Sequence, residues 1–262
     1  MDKRNQKYTA NITMGAALKE EAKTVLQHVH FGNSNKRIKQ LVIEENLLDK
    51  ATIASRKNAW GLIEGRYLKN SNCPTNLIAQ IVASQKGESI VDWMLFYHCC
   101  LADTLIYDVT VGLTYHRFIS GATRIDKPDV ISFLEERKKE HPEIEKFSQL
   151  TKDKIARNYL TLLRDFGLLE GKVIKYFKTV FVPIEFFVYV VYFLIEQGMA
   201  TKAILSSDDF NLFFLSEEDV LRLMNEASRT PYLDFTSAGD IYNLQLTRES
   251  LTDYVNELTG QI

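Results

Sequence analysis

The sequence predicts a mainly α protein: a globular multi-helix bundle with two helix-turn-helix-like elements and one small β hairpin, a wing. Three observations predict it. Apolar residues recur at helical spacing along most of the chain. Ser, Thr and Pro residues stand where helix starts require them. One stretch, 172–182, is rich in Val, Ile, Tyr, Phe and Thr and reads as a strand or short hairpin. The 262 residues are 45% hydrophobic and 25% charged, an ordinary globular composition that excludes collagen, a disulfide scaffold and wholesale disorder.

Thr13 is placed to cap a first helix reaching His30, with Leu18, Ala22, Val25, Leu26 and Val29 on its apolar face. Gly32-Asn-Ser34 breaks the pattern, and a second helix spans 36–46. A third begins at the cap Thr52 and runs to Lys69. Pro74 opens a fourth, to about Gln85. A long apolar segment covers 89–107, and Gly112 and Gly121 interrupt the stretch after it. Pro128 opens a helix to Glu140, which His141-Pro142 ends. The best-patterned helix is 151–166, stopped by Gly167 and Gly171. The run 186–195 is the most apolar in the chain, but its ten residues are half the roughly 20 that a membrane span needs. It is expected as a buried core helix. Ser216 and Asp219 form a capping-box pattern, 240–246 is a short strand, and Thr247 caps a last helix.

Enzyme signatures are not legible. Gly167-Leu-Leu-Glu-Gly171-Lys172-Val173 resembles a phosphate loop, yet it has three residues between its glycines instead of four and Val after its lysine. It also follows a helix, so a C-cap is the expectation. His28 and His30 diverge on a helix, and His98, Cys99 and Cys100 lie in an apolar segment as buried structural residues. No catalytic residue, metal site or cofactor is expected. The three cysteines cannot all pair, which suits a reducing cytoplasm, and the polar N-terminus carries no secretory pattern.

Two stretches carry the chemistry of a polyanion partner. In 151–166, Ile155, Tyr159, Leu162 and Phe166 share one face. Lys154, Arg157, Thr161 and Arg164 form a row on the opposite face, with Asn158 alongside. Cations neutralise phosphates, and Arg or Asn pairs with base edges, so such a row suits a DNA groove; a solvated amphipathic helix is the alternative, since a basic outer face alone is common. Lys172, Lys175 and Lys178 come next on the hairpin, giving the order of a winged helix-turn-helix. The ten residues 141–150 are long for the turn of a strict match. The other stretch is 33–70. Lys36, Arg37 and Lys39 lie on its first helix. Ser55, Asn58, Arg66 and Lys69 look outward from its second, with Lys57 at the boundary. Arg56 falls on the apolar stripe, so it is either a paired, partly buried arginine or a DNA contact.

Taken as a single number, the formal net charge of −2 argues against a nucleic-acid partner. Resolved along the chain it is +7 over 1–178, −1 over 179–205 and −8 over 206–262. The total is a cancellation, and the asymmetry fits a polyanion-facing part beside an acidic one or, alternatively, two ordinary solvated surfaces. Three parts are expected: 1–120 with the first helix-turn-helix, 121–205 as a winged-helix-like unit, and an acidic 206–262 packed on the rest.

Further residues carry a family resemblance. They are Tyr8-Thr-Ala-Asn-Ile-Thr-Met-Gly15, Glu45-Asn-Leu-Leu-Asp-Lys-Ala-Thr-Ile-Ala-Ser-Arg56, Arg66, Asp92-Trp93, Phe96-Tyr-His98 and Phe133-Leu134. Thr151-x-x-Lys-Ile-x-x-Asn158 leading to Gly167-Leu-Leu169, Phe210-Asn-Leu-Phe213 and Leu251-Thr-Asp-Tyr-Val255 complete them. Together they resemble the BrxA family of bacteriophage-exclusion (BREX) systems, once described as inner-membrane proteins. The resemblance implies an all-α protein with two helix-turn-helix elements that binds double-stranded DNA. It implies an accessory role beside a methyltransferase, an ATPase and a phosphatase-like partner, with no enzyme activity of its own. The alternative is an assembly adaptor without DNA binding. The old membrane label fits poorly with an apolar run of ten residues.

Overall fold

The computed structural model describes residues 7–84, 87–239 and 241–261. The chain enters as a segment bearing a 3-10 turn at Asn11–Met14, and helix α1 (Lys19–His30) starts only after it. The helix expected from Thr13 starts later because Gly15 is extended (φ 176°) and Leu18 is left-handed (φ 52°). Helix α2 (Asn35–Ile43) is capped by Ser34, whose hydroxyl accepts the Arg37 N–H. Thr52 and Ser55 form a capping box that opens α3 (Ile53–Ile63), which runs on as a π-helical turn to Leu68. Helices α1, α2 and α3 pack together, and Val25, Leu26, Ile38, Val42, Trp60 and Ile63 are buried.

Helix α4 (Thr75–Ala83) comes after Pro74, and Gln85, where it was expected to end, lies outside the described residues. The apolar segment 89–107 is two helices. Helix α5 (Glu88–Ala102) stops at Asp103, whose carboxylate caps α6 (Thr104–Val109) by accepting the Leu105 and Ile106 N–H groups. A π-helical turn, Thr110–Tyr115, carries α6 into α7 (His116–Ile119). Gly112 lies inside that turn, while Gly121 (φ 80°) breaks the chain as expected.

The next elements alternate. Strand β1 (Arg124–Ile125) leads to α8 (Lys127–Glu136), which Asp126 caps. Two 3-10 turns, Arg137–Lys139 and Pro142–Lys146, connect it to α9 (Gln149–Asp165), capped by Ser148. Gly167 is left-handed (φ 84°) and terminates α9 as expected, with the Leu168 N–H bonded to the Leu163 carbonyl. Strands β2 (Leu169–Glu170) and β3 (Lys175–Phe177) form a hairpin, and β3 also pairs with β1, giving an antiparallel sheet of order β1-β3-β2. The hairpin thus begins before residue 172.

Helix α10 (Ile184–Glu196) is buried all round from Phe186 to Leu194, which explains the apolar run. Among the described residues no single helix is long and apolar enough to cross a membrane. The pair Glu88–Ala102 and Thr104–Ile119 reaches that length and composition only together, across a bend of 109°. Helices α11 (Thr201–Leu205) and α12 (Glu217–Ala227) are next, the latter with the expected box of Ser216 and Asp219. Buried Asp209 accepts hydrogen bonds from Tyr97 and Tyr107, both 2.6 Å, and so fastens this acidic part to α5 and α6. Strands β4 (Leu233–Ala238) and β5 (Ile241–Leu246) form a second hairpin; Asp240, expected to start the latter strand, lies outside the described residues. Ser250, not Thr247, caps α13 (Leu251–Thr259), because the Thr247 hydroxyl donates to the Pro231 carbonyl instead.

Candidate nucleic-acid interface

The first basic surface is built on α2 and α3. Lys36 and Lys39 stand exposed on α2, and Lys57 and Asn58 on α3, making no ion pair with any described residue. Arg37 and Lys69 are exposed too, paired with Glu45 at 2.6 Å and Glu64 at 2.9 Å. Exposed pairs of this kind contribute about 0–1 kcal/mol, so neither cation is firmly held by its carboxylate. Beside Lys57 and Asn58 the start of α3 exposes Ile53 and Ala54.

Three residues expected on this surface are engaged inward. Ser55 is half-buried and completes the capping box with Thr52. Arg56 is the tied, partly buried arginine: its Nη1 donates to the Ile43 carbonyl (3.1 Å) and its Nε to that of Lys50 (3.4 Å), closing the turn between α2 and α3. Arg66 does not look outward. It is 4% exposed, and its Nη1 donates to the carbonyls of Ala16 (2.9 Å) and Ala17 (3.1 Å). The π-helical turn at Glu64–Leu68 moves it off the straight-helix angle that the sequence spacing assumes.

The second surface is built on α9. Lys154 and Arg157 are exposed and make no ion pair with any described residue. Thr161 and Arg164, further along the row, are half-buried. The Thr161 hydroxyl back-bonds to the Arg157 carbonyl, and Arg164 meets its neighbour Asp165 at 2.6 Å. Asn158 is turned to a protein partner, donating from Nδ2 to the Ile12 carbonyl (2.8 Å). The opposite face buries Ile155, Tyr159, Leu162 and Leu163, with the Tyr159 hydroxyl between those of Thr110 (3.1 Å) and Thr114 (2.6 Å) in the π-helical turn. Burial also holds Lys152, bonded to Glu135 at 2.6 Å.

On the hairpin, Lys172 and Lys178 are exposed and bracket a tip carrying Val173, which is 94% exposed. Lys175 is a second correction. It is 5% exposed, and its Nζ donates to the carbonyls of Gly171 (2.6 Å) and Lys172 (2.7 Å), tying the turn from within. Burial first, then the Arg164 charge, lowers its pKa. The turn requires glycine at 171, where φ is 91° and a Cβ would lie 2.2 Å from the Ile174 carbonyl oxygen.

The residues set aside for chemistry are placed as expected. His98, Cys99 and Cys100 are fully buried, with His98 Nε2 against the Tyr189 hydroxyl at 2.7 Å. Burial pushes the Cys99 thiol up to about 11 and the Cys73 thiol up to about 12, so neither is a thiolate near neutral pH. Sequence reasoning missed two features: strand β1, too short for any period, and the packing of residues 8–17. Tyr8 and Ile12, apolar within a polar N-terminal stretch, were the signal for the latter.

A mainly helical protein with two outward basic faces, one of them followed by a three-stranded antiparallel sheet, is the class that this geometry defines. The chain matches the BrxA family over residues 6–192 and belongs to it. The match ends within α10, so the acidic C-terminal part lies beyond it. Among solved structures the chain is similar to a crystal structure of an uncharacterized protein from Magnetospirillum magneticum, at 16% identity and a TM-score of 0.64. The similarity covers 80% of this chain and 100% of that one, and it shows the fold alone. No curated protein matches the chain. Family membership supports a role in BREX phage defence.

Proposed function

We propose that this protein is a non-enzymatic accessory component of a BREX-type system that binds double-stranded DNA. The observation that carries the reading is the second surface. The succession α7, β1, α8, α9, β2, β3, with sheet order β1-β3-β2, is the element order of a winged helix-turn-helix. In it α9 is the helix that would enter the groove, and the hairpin is the wing. The exposed row that starts at Lys154 and Arg157, with Lys172 and Lys178 on the wing, supplies the cations. Lys36, Arg37, Lys39, Lys57 and Lys69, with Asn58, supply a second contact. Proximity to the methyltransferase, ATPase and phosphatase-like components belongs to the same reading.

The other reading is an assembly adaptor that never touches DNA. The exposed acids Glu217, Glu218, Asp234, Glu249 and Asp253 favour it, because they offer a surface to basic protein partners. Fluorescence anisotropy on a labelled duplex across a salt series separates the two. DNA binding predicts log-linear weakening with salt, at a slope of about −0.9 per phosphate neutralised. Absence of binding at low salt would sink the DNA reading. The same sample, incubated with nucleotides and DNA, is expected to show no turnover.

A further inference from the structure

Two of the residues that the sequence offers to DNA, Asn158 and Arg66, hold the same piece of chain. Residues 8–17 are fastened at three successive points. At the first, the Tyr8 ring stacks on the His141 imidazole, with centroids 3.7 Å apart and 13° between the planes. Its hydroxyl donates to Asp108 (2.9 Å), and its backbone N–H donates to Glu143. His141 and Glu143 lie in the connection between α8 and α9. At the second point, Asn158, midway along α9, donates to the Ile12 carbonyl, and the Ile12 side chain is fully buried. At the third, Arg66 reaches from the end of α3 to the carbonyls of Ala16 and Ala17. Between the points, the turn Asn11–Met14 packs on both α3 and α9. Gly15 passes so close to α3 that a Cβ would lie 3.1 Å from Leu62 Cδ1.

Arg66 shows what the arrangement costs. A buried guanidinium loses its hydration, and its Nη2 has no hydrogen-bond partner among the described residues. What the arginine adds is direction, since two bonds from one nitrogen fix where Ala16 and Ala17 cross the end of α3.

We propose that residues 8–17 are a strap that fixes the placement of α3 relative to α9, so that both basic faces meet one duplex together. Tyr8, Asn158 and Arg66 are its positioning residues. The strap's hold is a property of the protein alone, whereas its consequence for DNA rests on the proposed DNA binding. Two faces held in register bind the second site at high effective concentration, and a loosened pair forfeits that gain.

Spin labels at Gln40→Cys on α2 and Gln149→Cys on α9 test the hold, because both positions are exposed and the three native cysteines are buried. Pulsed EPR should give one narrow distance distribution in the parent protein and in Tyr8→Phe, which keeps the stacking ring and the backbone bond. Tyr8→Ala and, independently, His141→Ala should broaden it. Distributions as narrow as the parent's in both, with folding intact, would overturn the strap.

The DNA arm compares a duplex of one helical turn, about 10 base pairs, with one of about three turns. The parent should gain at least roughly a hundredfold in affinity from the longer duplex, the low end of what simultaneous engagement adds. Tyr8→Ala should bind the short duplex as the parent does and lose most of that gain. Retention of the full gain would remove the coupling to DNA. If the parent binds neither duplex, the coupling falls with the DNA reading, and the strap stands or falls on the EPR distances.

Discussion

The two basic surfaces differ in how much of the expected cation row survives folding. On α9 the row starts openly with Lys154 and Arg157, and Arg164 at its end is held, among the described residues, by its sequence neighbour Asp165. On α2 and α3 the exposed cations are Lys36, Arg37, Lys39, Lys57 and Lys69, while Arg56 and Arg66 are spent on backbone carbonyls. The chemistry differs as well. The exposed row of α9 is cationic, the chemistry that neutralises phosphate. The start of α3 instead shows Ile53 and Ala54 beside Lys57 and Asn58, a set able to meet base edges and methyl groups. Helical periodicity tells which side of a helix faces away from its own core. It does not tell whether another segment of the chain covers that side.

The largest expected effect breaks the comparison at its stronger side. Reversing Lys154, Arg157 and Arg164 to Glu should flatten the log-log salt slope of DNA binding by about 3, one per phosphate contact removed. The unfolding midpoint should move little, because exposed substitutions such as those at Lys154 and Arg157 stay within about 0.5 kcal/mol each, with half-buried Arg164 beside Asp165 adding the largest share. The same reversal at Lys36, Arg37 and Lys39 gives the scale of the first surface. Equal losses would show that the two share the load. An unchanged affinity in the α9 variant would make its row merely solvated.

Next in size is a contrast inside the first surface. Arg66→Met leaves the Ala16 and Ala17 carbonyls without their donor, and unsatisfied buried groups cost about 1–3 kcal/mol. Urea denaturation should therefore show a loss of that order, while the salt slope of the folded protein stays as it was. Lys69→Met, on the exposed side of the same turn, should do the reverse. A stable Arg66→Met protein with a slope lower by about 1 would return Arg66 to the DNA surface.

Most of the fold was legible because its signals are local. Thr52 and Ser216 cap the helices expected of them, and the all-apolar run around Tyr189 is a core helix, since burial on every side removes periodicity. The illegible parts depend on distant partners. Strand β1 is two residues long and exists through its pairing with β3. The start of α1 is displaced because residues 8–17 find partners about 50 or more positions away, on α3, α6 and α9, which no sequence window contains. The candidate site divides along the same line. Exposed lysines follow from spacing, but Arg66, Lys175 and Asn158 are diverted by carbonyls that only the folded chain brings near.

The smallest effect sharpens the comparison within the wing. Lys175 and Lys178 lie three residues apart on one hairpin, so strand alternation sends them to opposite faces but does not tell which face is covered. Folded, the Lys175 Nζ closes the turn at Gly171 and Lys172, while Lys178 is exposed. Lys178→Met should lower the salt slope by about 1 and leave stability unchanged, as a lost phosphate contact does. Lys175→Met removes no phosphate contact, so its slope should match the parent's. It should instead raise amide exchange at residues 171–174 and weaken binding a few-fold at every salt concentration, because a loosened wing must be reordered on the duplex. Parallel salt plots offset by a constant would mark a positioning lysine, and converging plots a contacting one. If both variants converge with the parent at high salt, Lys175 leaves its turn to meet phosphate.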